Sequence, residues 1–240
     1  VDMSRLRMFN QYLPPYRAVA EAGVGSVMSS FNLVDGVPAT ANKWLLTDVL
    51  RGLWRYDGFV VTDYGSIGEM LQHGVGEDLR DAAAMTLRAG TDMDMCTRGF
   101  LNTLEQSVSE GKVTMEQIDD ACRRILEAKY KLGLFDNPYK YCDATRRAKD
   151  IYTAENRRAA RDLAAESFVL LKNKADILPL ESKGKIALVG PLADTRANMA
   201  GNWCVAYTPD RYSTLKEAFG RALAGKAELL YAQGCNVCYD

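Results

Sequence analysis

The segment YDGFVVTDYGS, residues 56–66, decides how this chain is read. Phe59, Val60, Val61 and Thr62 are aromatic or β-branched and suit a pleated, buried strand. The run stops on one carboxylate, Asp63, and Tyr64 and Gly65 then turn the chain. Ser66 and Glu69 carry the S-x-x-E spacing of a helix capping box. An acid thus stands where a buried strand gives way to a helix. In parallel α/β folds, ligands bind at the carboxyl ends of strands, which makes Asp63 a candidate for chemistry. The competing role is local: its carboxylate could accept hydrogen bonds from the turn amides of Gly65 or Ser66. Spacing alone leaves both open.

Working outward, residues 3–22 read as helix with Leu6, Phe9 and Leu13 on one face, and Pro14-Pro15 forcing a break or restart. SVMSSF, from Ser26, reads as a strand. Residues 42–55 are expected to be helical, with Leu45, Val49 and Leu53 in one apolar row and Leu46, Leu50 and Trp54 in the next. A helix over 77–89 ends at Gly90, and TDMDM, residues 91–95, reads as another short strand. A helix over 100–110 ends at Gly111. Thr114 and Gln117 then open a long helix that stops near Gly133. The three strands begin about 33 residues apart, the length of a strand plus a crossover helix, so the fold class is α/β with parallel pairing. Three such units cannot close an eight-stranded barrel. They form a small open sheet or a piece of something larger.

Residues 134–154 hold charges and little apolar periodicity and read as an exposed linker. Beyond it AENRRAARDLAAESFVLLKN reads as a helix, a turn at Pro179 follows, and KIALVG reads as a strand. The expected organisation is therefore 1–133, a linker over 134–154, and a second α/β region over 155–240.

Apolar residues make up 48% of the 240 and charged residues 25%, ordinary for a soluble globular protein. A net charge of −1 argues against nucleic acid as a partner. No apolar run approaches the roughly 20 residues of a membrane span, so no membrane partner is expected. No signal peptide is read, but the first residue is Val1 rather than Met, so an upstream start and the localisation both stay open. Six cysteines, at 96, 122, 142, 204, 235 and 238, are too scattered for a disulfide scaffold. Cys235 and Cys238 form a CxxC without a second pair or a nearby histidine, and ordinary small residues are the favoured reading.

Asp92 and Asp94 end the third strand, and alternation sends them to one face, so a divalent metal shared with Asp63 is conceivable. Strand-end aspartates that pair with an arginine or cap the next helix are commoner. VGPLAD, residues 189–194, lacks the glycine pattern of a phosphate loop. His73 has no partner serine or cysteine motif. Trp203 and Tyr207 lie in a loop after the second-region strand, where aromatic faces can stack on sugar rings or simply cover a domain edge.

Six segments in order, VMSSFNLVDGVPATANKWLLTDVLR, YDGFVVTDYGSI, AGTDMDM, KVTMEQIDDACRRILEAKYKLGLFDNPY, ESFVLLKN and IALVGPLAD, resemble glycoside hydrolase family 3, most closely its bacterial periplasmic β-glucosidases. The likeness runs across essentially the whole chain, to the ending YAQGCNV. It implies the C-terminal portion of a (β/α)8 barrel followed by the start of an α/β sandwich domain. It also implies a retaining, exo-acting β-glycosidase without a cofactor or metal, acting on terminal β-linked sugars of oligosaccharides or simple glycosides, in the periplasm or secreted. The family's S/T-D-W/H/Y motif falls on Thr62-Asp63-Tyr64, making Asp63 the implied nucleophile and Tyr64 a flanking aromatic. Met28 aligns with a pocket methionine. Phe31 falls where many relatives place a tyrosine that hydrogen-bonds the nucleophile, so that hydroxyl is lacking. Trp203 and Tyr207 match an aromatic loop at the outer sugar subsite. The sugar-holding Lys-His pair and arginine are expected before Val1 and the acid/base glutamate beyond Asp240, so neither Glu166 nor Glu217 is assigned that role. The 240 residues alone are expected to be inactive. Two alternatives stand beside this reading: a non-catalytic carbohydrate-binding homologue, and a metal-assisted barrel enzyme using Asp63, Asp92 and Asp94.

Overall fold

The computed structural model describes residues 1–237, in two compact units that divide after Arg147. Cys238 lies outside the described residues, and with it the CxxC pairing. Both units are α/β. In the first, β1 (Ser26–Met28), the short antiparallel pair β2 (Leu33–Val34) and β3 (Val37–Pro38), and β4 (Phe59–Val61) alternate with helices. β1 and β4 pair in parallel, with Met28 opposite Val61. The expected third strand shrinks to a single parallel bridge, Val61 to Met93. The amides of Asp92 and Met93 both converge on the Val60 carbonyl, at 2.8 and 3.1 Å, so the regular ladder does not propagate.

The first helical stretch runs through Arg5–Arg7, a π-helical segment Met8–Tyr12 and an α-helix Leu13–Glu21. The prolines fall in the first turn of that α-helix, where their missing amides cost nothing, so the chain changes helix type rather than breaking. Met8 and Leu13 are buried, whereas Leu6 of the expected apolar face is 72% exposed. The Trp44–Leu53 helix buries Leu46, Val49 and Leu50 and leaves Leu53 exposed. Leu46 and Leu50 pack with Tyr56, Val60 and Ala89, which plants this helix on β4. Full burial of Val60 alone contributes roughly 1.5–3 kcal/mol. Gly58 is required at its position, because a Cβ there would stand 2.2 Å from the Tyr56 hydroxyl oxygen and 2.7 Å from the Gly25 carbonyl.

Helices Ser66–Gln72, Leu79–Arg88, Gly99–Ser109 and Met115–Lys131 complete this unit. Thr114 and Gln117 form the expected capping box. Ser66 and Glu69 do not. Gly65 is the N-cap, in a left-handed conformation (φ 73°), and Ser66 is already the first helical residue. Its hydroxyl therefore points inward, to Thr40, instead of back over the helix end.

In the second unit the Ala154–Glu166 helix is shorter than expected. The Ser167 hydroxyl bonds back to the Ala164 carbonyl, and the continuous apolar run Phe168–Leu171 leaves helical form. β5 (Lys185–Val189) and β6 (Glu228–Ala232) pair in parallel around the Leu215–Leu223 helix, which begins with a Thr214–Glu217 capping box. Among the described residues no helix is long and apolar enough to cross a membrane.

Asp92 ties the first unit together. Its carboxylate accepts from Arg51 at 2.5 Å and the Val60 amide at 2.7 Å through one oxygen, and from Arg124 at 2.7 Å through the other. Its side chain is 1% exposed. Burial pulls the Arg51 guanidinium down from its ordinary value, and Asp92 opposes this. Removing Asp92 leaves two partly buried cations facing each other. Asp92→Ala is expected to cost about 3–5 kcal/mol, read from the urea midpoint of the chain; a loss under about 1 kcal/mol would contradict this role.

Tyr56 gives a second test. Burial chiefly pushes its hydroxyl up to about 12, against the pull of Arg51. An unfolded tyrosine titrates near pH 10, roughly, so between those values the unfolded state binds fewer protons and stability falls as pH rises. Tyr56→Phe is expected to flatten that alkaline decline in unfolding midpoint. Equal slopes for both proteins would count against it.

Candidate active site

Three segments of the first unit end side by side: β1 into Ser29–Phe31, β4 into Thr62–Tyr64, and the bridge at Met93 into Met95. Hydrogen bonds continue past the strands. The Ser29 amide donates to the Val61 carbonyl (2.9 Å), the Thr62 amide to the Met93 carbonyl (2.9 Å), and the Gly65 amide to the Met95 carbonyl (2.8 Å). The Thr62 hydroxyl accepts from the Met95 amide at 2.8 Å. Asp63 is thus carried on backbone held from both sides, at the carboxyl ends of parallel segments, where α/β folds place their sites.

Asp63 is half-buried. Its Oδ1 accepts the Tyr64 amide in a short hydrogen bond of 2.6 Å. The local alternative, acceptance from Gly65 or Ser66, is not what is found. The amide of Gly65 goes to Met95, and that of Ser66 goes to the Asp63 main-chain carbonyl, so neither reaches the carboxylate. Met28 closes β1 and is 52% exposed, Tyr64 is 58% exposed, and Phe31 is half-buried just past the end of β1. Met28, Phe31, Asp63 and Tyr64 therefore belong to one end of one sheet.

Asp92 and Asp94 serve elsewhere. Met93 pairs with Val61, so alternation puts Asp92 with Val60 on the helix-covered face and not with Asp63. Asp92 is held by its two arginines, and Asp94 accepts from the amides of Gly99 (2.6 Å) and Phe100 (3.3 Å), capping the next helix. Among the described residues no cluster of His, Cys, Asp or Glu has the make-up of a metal site. His73 caps the end of its helix, 3.5 Å from Glu69.

In the second unit Trp203 is 72% exposed, with a left-handed backbone (φ 64°). Tyr207 stacks on Tyr212 at 5.6 Å between ring centres, and its hydroxyl donates to the Arg196 carbonyl. Glu217 pairs with Arg196 at 2.5 Å, and that bond chiefly holds its carboxyl below the ordinary range, the opposite of what a catalytic acid needs.

Sequence reasoning passed over a group of buried hydroxyls. Ser29, Thr40 and Ser66, all at most 5% exposed, join β1, the turn after β3 and the Ser66–Gln72 helix. The one signal in the sequence is a threonine set between two alanines, in a stretch to which no element is assigned above.

The profile of the glycosyl hydrolase family 3 N terminal domain matches residues 1–128, and that of the C-terminal domain matches residues 168–234. A periplasmic beta-glucosidase of Salmonella typhimurium is 42% identical over 243 residues, which take in 100% of this chain and 32% of that protein. A beta-xylosidase of Formosa agariphila is 37% identical, over 98% of this chain and 34% of its own length. A crystal structure of beta-glucosidase from Listeria innocua in complex with glucose matches with a TM-score of 0.80 at 39% identity, over 99% of this chain and 32% of that one. The chain thus spans about a third of the length of the relatives it matches.

Proposed function

This chain belongs to glycosyl hydrolase family 3, and on that premise we propose that the protein it represents is a retaining, exo-acting β-glycosidase with Asp63 as its nucleophile. The observation that carries the reading is the placement of Asp63: half-buried, two residues past a parallel strand, with a 2.6 Å bond from the Tyr64 amide to its Oδ1.

The chemistry follows from that placement. A β-glycoside bound at the strand ends meets the Asp63 carboxylate at its anomeric carbon. The C1–O bond to the leaving group breaks as a bond from carboxylate oxygen to C1 forms, and a second carboxyl group protonates the departing oxygen. Water, deprotonated by that second group, then attacks C1 and releases Asp63 as carboxylate. The two carboxyls of such a pair stand about 5–5.5 Å apart. A nucleophile must present its carboxylate to the sugar; the Tyr64 amide donates to Asp63 Oδ1, and Phe31 offers no hydroxyl. The second carboxyl is proposed to come from the two-thirds of such a protein that this chain does not span, since Glu217 is committed to Arg196.

In this proposal residues 1–133 are the closing part of a (β/α)8 barrel, residues 134–154 a linker, and residues 155–240 the opening of an α/β sandwich domain. Met28, Phe31 and Tyr64 are proposed to shape the pocket around the terminal sugar, and Trp203 and Tyr207 of the second unit are proposed as sugar-binding aromatics. The substrates are β-glucosides or β-xylosides, in keeping with the named relatives, and the setting is periplasmic or secreted, in keeping with the Salmonella protein. The 240 residues by themselves are proposed to lack turnover.

Reaction of the full-length protein with a dinitrophenyl 2-deoxy-2-fluoro-β-glucoside tests this, because the fluorine slows release of the glycosyl-enzyme. Peptide mapping is expected to find one sugar per chain on Asp63. A label on another carboxylate would overturn the assignment, and sugar binding without any label would favour a non-catalytic carbohydrate-binding role.

A further inference from the structure

A closed circuit of hydrogen bonds surrounds the backbone that carries Asp63. The Val61 carbonyl accepts the Ser29 amide at 2.9 Å. The Ser29 hydroxyl lies 2.9 Å from the Thr40 hydroxyl, which lies 2.5 Å from the Ser66 hydroxyl. The Ser66 amide returns to the Asp63 carbonyl at 3.2 Å. Residues 61–63 are thus gripped at both ends, and the two grips meet on one oxygen.

Donor counting makes Thr40 the junction. A threonine hydroxyl has one proton and two lone pairs. Its third neighbour is the Ser30 carbonyl at 3.4 Å, which can only accept. With its proton directed there, both lone pairs are left for the two serine protons, and all three hydroxyls are satisfied in a site where each is at most 5% exposed. The Thr40 carbonyl also accepts the Thr91 hydroxyl at 3.0 Å, which draws in the segment leading to Met93. One residue therefore touches the continuations of β1 and β4 and the segment that leads into the Met93 bridge, while it is itself 1% exposed and cannot meet substrate.

We propose that Thr40 is a positioning residue for Asp63, its hydroxyl setting the spacing between the end of β4 and the Ser66–Gln72 helix, and so the direction of the carboxylate between them. This rests on Asp63 being the nucleophile. The backbone on either side of Asp63 is short, so a shift at Ser66 or Ser29 is transmitted within a few bonds. Reacting atoms misplaced by about 1 Å lose on the order of 100-fold in rate.

The test uses the full-length protein with Thr40→Val, which keeps the shape and removes the hydroxyl, and Thr40→Ser, which keeps the hydroxyl. Thr86→Val serves as a stability control: Thr86 is equally buried, but its hydroxyl bonds only the Ala82 carbonyl and the Met70 sulfur, within the helix layer. The expected result is a fall of roughly 10–100-fold in kcat for Thr40→Val with KM nearly unchanged, recovery to within a few fold in Thr40→Ser, and little change in Thr86→Val. If Thr40→Val does not fold, Ser66→Ala opens the circuit at its shortest link and is read in the same way. Equal kcat in Thr40→Val and Thr40→Ser, or an equal loss in Thr86→Val, would overturn the proposal while leaving a fluoro-sugar label on Asp63 in place. Absence of that label from Asp63 in the unaltered protein would instead remove the reading on which the proposal rests.

Discussion

Asp92 brings three otherwise separate pieces of the first unit onto one carboxylate: the Trp44–Leu53 helix through Arg51, the Met115–Lys131 helix through Arg124, and β4 through the Val60 amide. Arg51 extends the same clamp to the carbonyls of Gly58 and Gly90. Buried ion pairs are often close to neutral in net stability, because desolvation offsets the attraction. Their geometric demand is less negotiable, since a buried carboxylate with three donors admits one arrangement of its neighbours. β4 here has only three residues of regular ladder, and the third segment contributes one bridge. In so short a sheet, register depends on side-chain ties as much as on the ladder itself.

That clamp lies on the helix-covered face, and the chemistry proposed for Asp63 lies past the strand ends. The connection between them is the backbone from Val60 to Ser66. Val60 is locked by Asp92, Thr62 by Met93 and Met95, and Asp63 and Ser66 by the hydroxyl circuit through Thr40. Electrostatic catalysis needs groups that are already oriented when substrate arrives, because reorganisation during reaction adds to the barrier. A carboxylate on a freely moving loop would not meet that need. Asp63 instead lies two residues past a strand whose residues are fixed one by one, and its carboxylate accepts the next amide in the chain.

Local signals in the sequence translated well where the residues act on their neighbours. The β-branched run before Asp63 is a strand, the Thr114–Gln117 spacing is a capping box, and the strand-end aspartates pair with arginines or cap a helix. The same logic failed at Ser66 and Glu69, whose spacing matches Thr114 and Gln117. The difference lies in what surrounds each serine or threonine: Gly65 supplies a left-handed N-cap, and a buried threonine 26 residues earlier takes the Ser66 hydroxyl. The Phe168–Leu171 run gave no periodicity by which to separate helix from extended chain, and the helix before it stops at Glu166. The arginines on Asp92 and the Thr40 circuit join residues 10 to 41 positions apart, a relation that no short window of sequence contains. Asp63 was legible as a candidate from its place at a strand end, and the ordered likeness to a glycosidase family raised it above a turn residue.

The central claim is that Asp63 attacks the sugar from the face opposite the leaving group. Azide rescue of Asp63→Gly in the full-length protein addresses it most directly, because the small anion enters where the carboxylate has been removed. With an activated β-glycoside, the account predicts that turnover is lost in the variant and restored by azide, with the α-glycosyl azide as product. A β-glycosyl azide, or hydrolysis undiminished by the substitution, would contradict it.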